Sequence, residues 1–109
     1  MSINEIYCTQ WARPKPGERF PKHQAMLALW RAFPNVADCA PADVFDAEQL
    51  IELLKKGWSP SERAPLLFLL AVWNPGHFSD GFDLVNCVAE MDPIARAVVA
   101  DWTLNPWWP

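Results

Sequence analysis

No two of the chain's potential metal ligands stand close together. Cys8, Cys39, Cys87, His23 and His77 are scattered, and neither C-x-x-C nor H-x-x-x-H occurs. The half-site spacing of a zinc centre is therefore missing, and the expectation is no metal. Three cysteines at wide intervals do not make a disulfide framework; reduced thiols in a cytoplasmic protein account for them. The first residues, MSINEIYCTQ, lack the basic-then-apolar pattern of a secretory signal. The longest apolar run, Ala64 to Trp73, spans ten residues. A membrane helix needs about 20, so neither export nor insertion is expected. No Asn-Gly or Asp-Gly turn lies between alternating apolar segments, which argues against hairpins and sheet. G-x-S-x-G, H-E-x-x-H and the phosphate-binding glycine loop are absent too. No catalytic residue, cofactor or internal repeat is implied.

What is present is apolar and aromatic. The 109 residues suit one domain and are 51% hydrophobic, with seven Trp and six Phe. A chain of this size buries roughly two-thirds of its unfolded surface without needing a metal or a disulfide. Charged residues make up 20% and the net charge is −4. The charge is uneven: residues 1–37 sum to +3 and residues 38–109 to −7. An acidic body repels phosphate backbones, so direct nucleic-acid binding is not expected.

Apolar spacing is helical through most of the chain. A first helix is predicted over 22–33, with Met26, Leu29, Trp30 and Phe33 at i, i+3, i+4 and i+7 and Pro34 beyond them. A second, 46–56, starts on Asp46 with Gln49 as a capping box and turns inward Ala47, Leu50, Ile51 and Leu54. Gly57 is read as its left-handed C′ residue, and Trp58 is placed to pack back on Leu53. A third, 60–73, starts on Ser59, Pro60 and Glu62, with Pro65 delaying its regular part. It is apolar all round from Leu66 to Trp73 and is predicted to be central, with Leu66, Leu67, Leu69, Leu70 and Trp73 buried. A fourth covers 80–91, capped by Ser79 or Asp80, with Phe82, Val85, Val88 and Met91 or Cys87 inward. A fifth starts at Asp92-Pro93 and buries Ile94, Ala97, Val98 and Trp102. The loop from 34 to 45 is long and is expected to hold an extra turn near Asp43. The fold class is thus all-α: a compact bundle of four to five short helices behind an extended, proline-rich N-terminal segment. Its parts are an irregular basic arm at 1–20, a helical core at 21–104 and an aromatic tail at 105–109.

Candidate chemistry is sparse. Cys87 with His77 and Asp80 or Asp83 supplies the residue types of a thiol triad. Cys87 lies in an apolar stripe, however, where burial makes a thiol inert. Asp80 and Asp83, or Glu90 and Asp92, resemble acid–base pairs, but helix capping explains them. Residues 47–71 read as helix, turn, helix, yet the second helix carries no base-reading donor. Three surface features remain. The arm carries Arg13, Lys15, Arg19 and Lys22; Trp107 and Trp108 form an aromatic terminus; Asp43, Asp46, Glu48 and Glu52 concentrate negative charge around the second helix. Glu48 and Glu52 are one turn apart and share a face.

These observations predict a binding module that covers the surface of a partner protein, one with a basic surface. Its partner-binding residues are Asp43, Asp46, Glu48, Glu52, Trp107 and Trp108. Inhibitors, immunity factors and adaptors are of this type, and one concrete form is a phage- or plasmid-encoded inhibitor of a nucleic-acid machine such as a defence complex. The competing expectation is a small-molecule binder or enzyme with a Trp-lined pocket near His77 and Cys87.

Overall fold

Proline and short polar side chains decide where each helix starts, and the apolar spacing decides how it packs. The computed structural model describes residues 22–74 and 82–108, in which there are five α-helices and no strand. They are α1 (Lys22–Arg31), α2 (Ala47–Leu54), α3 (Pro60–Trp73), α4 (Leu84–Glu90) and α5 (Pro93–Leu104), with a 3₁₀ turn at Ala37–Cys39. The all-α expectation holds. The basic arm lies outside the described residues, apart from Lys22. The radius of gyration, 13.2 Å, matches the ~13 Å of a compact domain of this length.

α1 presents Met26, Leu29 and Trp30 of the predicted stripe, and Phe33 follows just beyond its end; all four are fully buried. The helix ends at Arg31, before Pro34 can interrupt it. Trp30 turns its indole N–H onto the Val36 carbonyl at 2.9 Å, and Arg31 donates to the carbonyls of Pro41 and Ala42 at 2.9 and 3.1 Å. These bonds tie the long 34–45 loop to the helix it leaves. The extra turn sits earlier than predicted, at Ala37–Cys39, and residues 44–46 carry no helical turn.

Asp46 caps α2 by accepting from the Glu48 N–H at 3.0 Å. This is a simple N-cap rather than the reciprocal box expected with Gln49. Phe45 and Leu50 occupy the positions of a hydrophobic staple around that cap, and both are buried in the core. Of the predicted α2 stripe only Leu50 is fully covered; Ala47, Ile51 and Leu54 are half-buried. At the other end the left-handed glycine is not used. Gly57 has no positive φ. The orphan carbonyls are met otherwise: the Trp58 indole N–H donates to Leu53, and Arg63 donates to Leu54 at 2.9 Å. With side chains filling these acceptors, the turn does not need the αL geometry.

Ser59 and Glu62 start α3. The Glu62 carboxylate accepts from the Ser59 N–H at 3.3 Å and from its hydroxyl at 2.7 Å. The helix runs unbroken from Pro60, so Pro65 does not delay it. Pro65 sits in the second turn, where it removes one donor. α1, α2 and α4 each pack against α3, which makes it the central helix. Leu66, Leu69 and Leu70 are buried. Leu67 and Trp73, expected to be buried, are half-buried. Leu67 falls on the strip Arg63–Leu67–Ala71, at i, i+4 and i+8, which the packed helices leave uncovered.

α4 starts later than predicted. Asp83 is its cap, accepting from the N–H groups of Val85 and Asn86 at 3.0 and 3.3 Å. That start turns Cys87 and Met91 inward and leaves Val85 77% exposed, so Val85 is not a core residue. α5 begins at Pro93, with Asp92 accepting from the Ala95 N–H at 2.8 Å. Its buried residues are Ala95, Val98, Val99 and Asp101. The predicted face of Ile94, Ala97 and Trp102 is only half-buried. The inward face is therefore rotated from the predicted one, and the half-buried Trp102 ring stands edge-on to Phe68 of α3.

Candidate functional site

All four predicted carboxylates meet solvent: Asp43, Asp46, Glu48 and Glu52 are exposed. They follow from local structure. Asp43 lies in the loop before α2, Asp46 is its N-cap, and Glu48 stands in its first turn beside the positive end of the helix dipole. Glu52 follows Glu48 by one turn. Lys55 reaches back to Glu52 at 2.8 Å and neutralises that part of the face. Both partners of that pair are exposed, and such pairs add little stability.

The nearby arginines bond to backbone carbonyls rather than to these carboxylates. Arg31 donates to the 41–42 loop, Arg63 to the end of α2, and Arg96 to Val88 and Ala89 at the end of α4. Each guanidinium is committed to backbone carbonyls. Among the described residues, Lys55–Glu52 is the ion pair the structure forms. Charge counting along the sequence could not separate cations that cap helices from cations that pair with carboxylates. The same region holds an apolar side chain that sequence reading passed over: Val44, between Asp43 and the buried Phe45, is 56% exposed. The alternation of an extended segment ahead of the cap was the available signal.

The aromatic terminus divides. Trp107 is buried, and its carbonyl accepts from the Trp102 indole at 3.1 Å. Trp108 is 54% exposed and sets its ring edge-on to Trp102 at 5.3 Å. Trp102 in turn meets Phe68 at 5.5 Å, and Phe68 meets Phe33 at 6.1 Å. The tail folds back on the bundle through this series of rings. Trp107 belongs to the core, and only Trp108 offers surface. The structure does not show the tail and the acidic residues in contact.

Cys87 is buried and donates its thiol to the Ala64 carbonyl at 3.1 Å. Burial, and then the negative charge of Glu90, push its pKa from the ordinary 9.0 up to about 11. A thiol held protonated is a poor nucleophile. His77 and Asp80, the other members of that proposed set, lie outside the described residues. At another corner Lys22 lies 5.9 Å from the Trp73 ring centroid, and Trp73 packs on Phe45 at 4.7 Å and on His23 at 5.6 Å. Among the described residues no group of three or more His, Cys, Asp and Glu is placed to hold a metal ion, and no helix is long and apolar enough to cross a membrane. Comparison with protein-family models, with curated proteins and with solved structures gives no match.

Proposed function

We propose that the chain is a cytoplasmic protein-binding module whose acidic α2 face meets a basic surface of its partner and covers it. The observation that carries this reading is the exposure of Asp43, Asp46, Glu48 and Glu52 in and just before α2, where Lys55–Glu52 is the ion pair formed among the described residues. Exposed carboxylates attract a positive surface and speed encounter. Inhibition by occlusion is the simplest consequence. A partner that normally holds nucleic acid has the required positive surface, which makes an inhibitor of a nucleic-acid machine the concrete form. The test is affinity capture from cells that naturally make the protein, followed by binding kinetics with the purified partner at several ionic strengths. The reading requires a basic partner surface and an association rate that falls as salt rises. Salt-independent association with the captured protein would contradict it.

A further inference from the structure

We draw no further inference here: the strongest candidate, the exposed apolar side chains Leu104 and Trp108 at the C-terminal end of α5, carries nothing because the structure does not show what covers them.

Discussion

Leu67 and Leu69 are two residues apart on the central helix, chemically identical and equally apolar in their sequence setting, yet the structure separates them. Leu69 is fully buried, whereas Leu67 lies half-buried on the uncovered strip of α3. Truncation of Leu69 to Ala removes packed atoms and leaves a cavity among helices that cannot fully collapse, at a cost of ~2–5 kcal/mol. The same change at Leu67 removes a side chain that water already reaches in part. It loses a fraction of the transfer energy and opens no closed cavity, so the expected cost is about 1 kcal/mol. The total stability of a domain this size is of order 5–15 kcal/mol, so the first change is a large part of it. Urea denaturation followed by far-ultraviolet circular dichroism reads the difference. At an m-value near ~1.5 kcal/mol/M, a loss of ~3 kcal/mol moves the midpoint by ~2 M. Leu67→Ala should move it by less than half as much. Equal shifts for the two variants would show that α3 is enclosed on all sides, and the arrangement of α1, α2 and α4 around it would be wrong.

The remaining predictions concern single features. Gly57→Ala should be neutral or raise stability by ~0.4–1 kcal/mol, because no positive φ requires glycine and a Cβ there meets nothing within 4 Å; a loss near 1 kcal/mol in denaturant titration would restore the left-handed reading. Asp83→Ala removes two backbone hydrogen bonds at the start of α4 and should cost ~0.5–2 kcal/mol, seen as a lower thermal midpoint. At neutral pH, iodoacetamide should modify the half-buried Cys39 well before the buried Cys87, with peptide mass spectrometry as the readout; equal rates would refute the burial of the thiol. The Cys87 pKa is higher folded than unfolded, so its contribution is complete below pH 9 and is lost as pH rises towards 11. That loss approaches ~2–3 kcal/mol, and Cys87→Ala should flatten the alkaline fall in stability.

Helix positions were readable where strong local signals agreed. Pro34, Ser59-Pro60-Glu62 and Asp92-Pro93 mark boundaries by backbone chemistry alone, and the structure places α1, α3 and α5 accordingly. The α1 stripe was readable because Met26, Leu29 and Trp30 recur on one face. What escaped the sequence depends on which neighbour covers which side. Leu67 looks like Leu66 and Leu69 in sequence; only the placement of α1, α2 and α4 leaves it partly open. Val85 and Cys87 were both plausible inward residues, and the choice turned on which aspartate caps α4. The Gly57 turn was misread because Trp58 and Arg63 supply donors from positions that local capping rules do not consider. For the candidate site, the exposure of Glu48 and Glu52 was readable from their spacing on α2, and that of Asp46 from its capping position. The commitment of the arginines was not, because their carbonyl partners lie seven to eleven residues away along the chain.

A binding face on α2 makes the position of charge decisive, so the most direct measurement makes the same change in net charge at two different places. Glu48→Lys and Glu90→Lys each alter the total by two units, at exposed positions on different helices. Asp46 is unsuitable because its carboxylate also caps α2, and Glu52 because Lys55 already occupies it. Association rates of both variants with the captured partner, measured at low and high salt with folding checked by circular dichroism, decide the matter. A binding face on α2 requires a several-fold slower association for Glu48→Lys at low salt, a smaller effect at high salt, and a rate close to wild type for Glu90→Lys. Equal rates for wild type and Glu48→Lys, or equal slowing by both variants, would contradict a binding face on α2.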